Sequence, residues 1–166
     1  MATAGRTIRQ GAIVGLIAFA SVAVFYAAFD VLAARGTLYT VNLLGKAVFQ
    51  GLRDPSVLQM PIAPDFTAIA WYSGLHLVLS LAIGLIVTGL VDRAEQDPSQ
   101  GSLVLAVIVG GFVITIAVVG VISESIRPVL PWWSIVVANG AASACAGVYL
   151  LRVRPGIGRR LNPFVI

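Results

Sequence analysis

The segment from Phe66 to Val91 constrains this chain more than any other, because it runs for 26 residues without a formally charged side chain. At a rise of about 1.5 Å per residue, a helix of this length crosses a hydrocarbon core of about 30 Å. Its small and polar residues fall on one face of that helix, namely Ser73, His76, Ser80, Gly84 and Thr88. The segment therefore predicts a transmembrane helix with one side that packs against protein.

The composition favours lipid as the solvent of the whole chain. Hydrophobic residues make up 58% of the sequence and charged residues 11%, whereas about 25% of the residues of a soluble domain are charged. The single cysteine, Cys145, excludes an internal disulfide and a CxxC site. A nucleic-acid partner is not expected, because no stretch outside the apolar segments combines basic residues with aromatic ones.

Three more apolar segments complete the predicted topology. Together with the segment at 66–91, spans at about 11–34, 102–124 and 132–152 predict an all-α integral membrane protein with a four-helix transmembrane bundle, formed by one domain over residues 1–166. The first span has the layout of a secretory signal peptide. Its uncharged run from Ala12 to Phe29 is longer than the usual signal core of about 7–15 residues, which favours a retained helix.

The connection between the first two spans contains a predicted amphipathic helix at about 37–53. Leu38, Val41, Leu44, Val48, Phe49 and Leu52 share one side of the helical wheel, while Tyr39, Asn42, Lys46, Gln50 and Arg53 share the other. Leu43 falls on the polar side, against this pattern. Asp54 and Pro55 would end the helix. Such a helix is expected in the membrane interface, either as a cover for one end of the bundle or as a lid or docking surface.

Small residues mark the faces where helices are expected to approach each other closely. Helix association in lipid depends on van der Waals contact, so glycine, alanine, serine and threonine are enriched where helices meet. The predicted packing residues are Ser80, Gly84 and Thr88 in the second span, Gly110, Ala117 and Gly120 in the third, and Ala138, Ala142 and Ala146 in the fourth. These faces can serve the chain's own bundle or a neighbouring membrane protein.

The basic residues predict the orientation of the bundle. Seven of the 11 basic residues would lie on the side of the chain ends and four on the opposite side. The positive-inside rule then predicts an inner (plasma) membrane protein with both termini in the cytoplasm. The basic residues of the C-terminal tail, Arg152 to Arg160, are expected to meet anionic headgroups.

Polar residues that belong to the opposite, outer half of the predicted bundle form a candidate site. An ionisable residue inside a membrane is a functional-site hypothesis by default, and the cluster consists of Asp30, His76, Glu124, Arg127 and Asn139. Each also has a structural explanation. Asp30 can be solvated at a helix end, Glu124 can pair with Arg127, and His76 or Asn139 can bond a polar side chain or a backbone carbonyl.

Three functions remain open after the motifs are considered. The chain contains no HExxH, GxSxG, P-loop or GxGxxG motif, so catalysis is poorly supported and no cofactor or metal site is predicted. The favoured hypothesis is a non-catalytic accessory or scaffold subunit that packs against other membrane proteins or forms a homo-oligomer. The alternatives are a small oligomeric transporter or channel for ions or protons, and a protein that binds a quinone, lipid or metal with the outer His/Glu/Asp cluster.

Overall fold

The computed structural model describes residues 2–51 and 62–160, and within these ranges all regular structure is helical. The helices are α1 (Ala2–Leu32), α2 (Tyr39–Phe49), α3 (Phe66–Gln96), α4 (Gly101–Ile122), α5 (Trp132–Val153) and the short α6 (Ile157–Arg160). Of the described helices, α1, α3, α4 and α5 are long and apolar enough to cross a membrane, with a mean hydropathy between 1.6 and 2.8. The predicted all-α membrane helix bundle is confirmed, and the chain is a multi-pass membrane protein. The identity of the membrane and the cytoplasmic position of both termini stay predictions.

Helix α1 packs against α3 and α5, and α3 also contacts α2 and α4. Helix α4 lies at the periphery and contacts α3 and α5. Two groups of buried apolar residues hold these helices together. One group, near α2, contains Leu43, Ile116, Ile126, Leu130 and Ile135. The other, near the chain ends, contains Val14, Val91, Val104, Ala146, Leu150 and Ile157.

The closest approach in the bundle joins α1 to α3 through glycines. A Cβ atom placed on Gly84 would lie 2.4 Å from the carbonyl oxygen of Gly11 and 2.5 Å from the nitrogen of Gly15. A Cβ atom on Gly15 would lie 2.6 Å from the Cα atom of Leu81. Because these neighbours are backbone atoms, only glycine fits here, and the two antiparallel helices touch backbone to backbone. We call this contact the glycine crossing.

Helix α3 begins at Phe66, as the sequence suggests, because Asp65 caps it. The Asp65 carboxylate accepts a hydrogen bond from the N–H of Ala68 at 3.0 Å and another from the side chain of Gln50 at 2.6 Å. These two bonds stabilise the charged form and hold the pKa of Asp65 below its ordinary value. At its other end α3 continues beyond Val91 to Gln96, where Asp92 and Glu95 meet partners from α1 and α5.

Helix α2 follows a tight reversal of the chain in which Gly36 has a φ of +79°, a conformation that favours glycine. The helix covers Tyr39–Phe49, within the predicted range of 37–53; residues 52 and 53 and the predicted stop at Asp54 and Pro55 lie outside the described residues. Leu43 is fully buried, although the helical wheel placed it on the polar side. Leu38, Val48 and Phe49 are exposed. The placement of α2 in the membrane interface stays a prediction.

Polar side chains of α2 fix it to the start of α3. The Asn42 side chain donates to the carbonyl of Ala63 at 3.2 Å and accepts from the N–H of Asp65 at 2.9 Å. Lys46 donates to the same Ala63 carbonyl at 2.8 Å. The hydrophilic side of α2 therefore satisfies the backbone that leads into α3.

Candidate functional site

A cavity of about 290 Å³ lies between α1, α2 and α3. It begins one turn beyond the glycine crossing, where larger side chains replace the glycines and the two helices separate. On α1 the lining residues follow helical spacing from Phe19 through Tyr26 to Asp30, and on α3 they run from Ile69 to His76. Helix α2 covers the space between them. The glycines thus hold α1 and α3 together at the crossing, and the larger side chains of Phe19, Tyr72 and His76 line the cavity beyond it.

Aromatic rings form much of the cavity wall next to His76. The imidazole lies 5.1 Å from the ring of Phe19 and 6.3 Å from the ring of Tyr72, measured between ring centroids and with tilted planes in both cases. Tyr26 lines the same space and its hydroxyl lies 3.5 Å from the hydroxyl of Ser134. The site therefore offers ring faces and edges for contact with another flat group.

Asp30 lies at the α2 end of the cavity and is 1% exposed. One carboxylate oxygen accepts from the N–H of Thr40 at 2.7 Å, and the other accepts from the hydroxyl of Thr40 at 2.6 Å. Thr40 is in the first turn of α2, where helix N–H groups lack intrahelical partners and the helix dipole favours a negative charge. Asp30 thus caps α2 from a different helix.

Three polar groups of α3 in the cavity wall are not hydrogen-bonded within the described part of the chain. They are the hydroxyls of Tyr72 and Ser73 and the imidazole of His76, all of which line the cavity. Their spacing of one, three and four residues places them on one side of α3. Each of these groups can donate a hydrogen bond.

The structure brings only part of the predicted polar cluster to this cavity. Asp30 and His76 line it, whereas Glu124, Arg127 and Asn139 are not among its lining residues. Glu124 is exposed and lies 3.8 Å from Arg127, in an ion pair between neighbouring turns of the chain. The Asn139 side chain donates to the carbonyl of Ile135 in its own helix at 2.8 Å. Within residues 2–51 and 62–160, no three His, Cys, Asp or Glu side chains converge to hold a metal.

The predicted packing residues divide into two groups. Most of them meet the chain's own helices: Gly84 lies in the glycine crossing, Gly120 contacts the indole of Trp132, and Ser80, Thr88, Ala138, Ala142 and Ala146 are buried. Ala117 is exposed and Gly110 is half-buried. A Cβ atom on Gly110 would meet nothing within 4 Å.

A second polar site, at the chain ends, was not predicted. Arg154 directly follows α5 as its C-cap. Its side chain is 2% exposed, and its guanidinium donates to Gln10 at 2.8 Å, to Glu95 at 3.0 Å and to Asp92. Asp92 also accepts from Thr7, so the group ties α1, α3 and α5 together. The sequence pattern predicted Arg154 as one of several arginines of the C-terminal tail, and it ended the second span at Val91, before Asp92 and Glu95. Asp92 and Glu95 are three positions apart, so a helix that continued beyond Val91 would carry both on one side. This spacing could have indicated a shared cationic partner.

Comparisons with protein-family models, with curated proteins and with solved structures gave no match.

The cap formed by Asp30 gives a direct test of its structural role. Replacing Asp30 with alanine leaves the N–H and hydroxyl of Thr40 without their acceptor, so we expect the free energy of unfolding to fall by about 1–3 kcal/mol. Amide hydrogen exchange in the first turn of α2 should rise at the same time. Glu124→Ala is the matched control, because an exposed ion pair contributes about 0–1 kcal/mol. Equal losses in the two variants, with exchange in α2 unchanged, would contradict the capping role.

Proposed function

We propose that the protein is a non-catalytic subunit that packs against a larger membrane protein through one face of α4. The observation that carries the proposal is the outward direction of small residues on that helix. Ala106, Gly110 and Ala117 share a face with the exposed side chains of Ile114 and Val121. We call this surface the α4 outer face.

The opposite side of α4 packs against the other helices of this chain. Val104 and Ile116 are buried there, and Phe112 and Val119 pack against the core group near α2. The small residues of the outer face are therefore not required by the chain's own bundle. Glycine in a helix interior costs about 0.5–1 kcal/mol relative to alanine, so Gly110 and Gly111 weaken α4 without an internal contact that needs them.

The partner that best matches the α4 outer face is a second transmembrane helix. Lipid tails are as apolar as the face itself, so the hydrophobic effect does not drive the association of helices in the bilayer. Small residues instead let a second backbone come close, as they do in the glycine crossing. The one hydroxyl of this stretch, Thr115, already donates to the carbonyl of Gly111 at 2.8 Å. The complementary helix is thus expected to be apolar and to carry its own small residues.

The test is purification of the native protein in a mild detergent, followed by mass spectrometry of the chains that elute with it. We expect a larger membrane protein in fixed proportion, and we expect Gly110→Leu to remove it because the new side chain fills the space for the partner's backbone. Gly89→Leu in α3 is the matched control, since a Cβ atom there also meets nothing within 4 Å. Both variants should keep the melting temperature of the isolated protein.

Two results would contradict the accessory function. One is elution as a homo-oligomer without other chains, which would assign the α4 outer face to a second copy of this protein. The other is full retention of the partner by Gly110→Leu, which would place the contact elsewhere on the bundle.

A further inference from the structure

We propose that the cavity between α1, α2 and α3 binds the head of a neutral, ring-headed, lipid-soluble molecule of the quinone class, with its carbonyl oxygens bonded to donors on α3. This ligand site is separate from the α4 outer face, so it does not depend on the accessory function.

The shape and the lining of the cavity favour a flat ring. Phe19, Tyr26 and Tyr72 contribute aromatic rings from two helices, and the His76 ring lies 5.1 Å from that of Phe19 and 6.3 Å from that of Tyr72. Aromatic groups associate in offset or edge-to-face arrangements at centroid distances of about 4.5–7 Å. A planar head that enters this space can meet rings from both α1 and α3.

The polar groups of the cavity favour an acceptor. Tyr72, Ser73 and His76 present donors on one side of α3, and in the described chain none of the three is bonded to another residue. A half-buried polar group inside a membrane-spanning helix costs free energy until it finds a partner. A head with two carbonyl oxygens supplies acceptors and needs no donor in return. These unused donors thus match a ligand that carries carbonyl acceptors, and the same hydroxyls and imidazole are also able to accept a hydrogen bond.

Charge selects against acidic ligands. Asp30 is a buried carboxylate in the wall of the cavity, and both of its oxygens are already bonded to Thr40. The Arg35 cation offsets part of this charge, but an ionised carboxylate has no hydrogen to donate to a phosphate or carboxylate head. The ligand is therefore expected to be neutral in its head group.

The cavity opens on one side, which gives a lipid-soluble ligand a route. Ala23, Thr37 and Leu38 line the cavity and are also exposed, so the space reaches the surface of the bundle next to α2. A volume of about 290 Å³ lies just below the usual range of ligand pockets, about 300–1,000 Å³. The ring fits inside while an alkyl tail leaves through the opening.

The test is calorimetric titration of the purified protein in detergent with a decyl-substituted benzoquinone. We expect saturable binding that His76→Leu weakens by about tenfold, the effect of one lost hydrogen bond. Ala27→Leu should abolish binding by filling the cavity, whereas Ala28→Leu is the matched control because Ala28 does not line the cavity and is exposed. Tyr72→Phe should weaken binding, and Tyr149→Phe in α5 should leave it unchanged. Circular dichroism of every variant checks that the helices remain folded.

Two further ligands test whether the cavity recognises the ring or the charge of the head group. Dioleoylglycerol carries ester carbonyls without a ring, and phosphatidylglycerol carries an anion. Binding of the quinone at least about tenfold tighter than either supports the proposal. Dioleoylglycerol binding as tightly as the quinone would overturn the assignment of a ring-headed ligand. The site itself would be overturned if the quinone did not bind saturably, or if Ala27→Leu and Ala28→Leu bound it equally.

Discussion

Replacing Arg154 with methionine is expected to lower the free energy of unfolding by about 3–5 kcal/mol, the usual cost of removing one partner from a buried ion pair. The guanidinium is 2% exposed and is bonded to Gln10, Asp92 and Glu95. The side chains of Asp92 and Glu95 are only 15% and 24% exposed. Methionine fills a similar volume but offers no donor, so both carboxylates would lose their buried cation and keep the half-exposed Arg6, which lies 3.8 Å from Asp92 and 3.4 Å from Glu95.

The measurement is unfolding in mixed micelles with increasing sodium dodecyl sulfate, followed by circular dichroism. Arg152→Met is the matched control, because Arg152 lies one turn or less from Arg154 and is exposed; its effect should stay within about 0.5 kcal/mol. Arg154→Lys should fall between the two, since an ammonium group cannot reach three acceptors in the planar geometry of guanidinium. If the methionine variants at 152 and 154 were equally stable, the network would contribute nothing to the fold.

The second large effect is expected at the glycine crossing. In Gly84→Ala the new methyl group would lie 2.4 Å from the carbonyl oxygen of Gly11, and the backbone of α1 would have to move away from α3. Overpacking of this kind costs about 1–3 kcal/mol. A leucine at the same position should prevent the two helices from packing.

Gly89→Ala is the control for this substitution, because it makes the same change in the same helix where the added Cβ atom meets nothing within 4 Å. Alanine is the better helix former by about 0.5–1 kcal/mol, so the control should be neutral or slightly more stable. The same unfolding assay compares the two variants. A loss at Gly89 equal to that at Gly84 would mean that the crossing tolerates a side chain.

The sequence predicted those features that depend on runs and periods of residues within one segment. The uncharged run from Phe66 to Val91 predicts the second span, and the small residues Ser80, Gly84 and Thr88 identify the buried face of α3. Neither observation requires knowledge of another helix. The pattern GAIVG at Gly11–Gly15, which supplies the other half of the crossing, has the same small-residue spacing and could have been found in the same way.

Features that depend on contacts between distant segments could not be predicted. Asp30 was predicted as a member of the outer polar cluster, with solvation at a helix end as the structural alternative, yet it caps α2 because the chain reverses after α1. Leu43 is buried with Ile126, Leu130 and Ile135, which belong to the α4–α5 connection and the start of α5. A helical wheel of α2 alone does not show this contact. Arg154 is separated from Gln10 by 144 positions, and no local pattern marks one arginine of a basic tail as buried.

The position of Arg154 near the C-terminus also has a consequence for biosynthesis. A membrane protein is made from its N-terminus, and the segments made first begin to fold first. Helices α1 and α3 therefore leave the ribosome well before Arg154, which is the buried cation bound to Asp92 and Glu95; until then the exposed Arg6 can pair with these carboxylates. A nascent or truncated chain that lacks residue 154 carries these acidic groups without their buried cation. The contacts that Arg154 makes with Gln10, Asp92 and Glu95 thus form after α1 and α3 have been made, and they join both helices to the C-terminal end of α5.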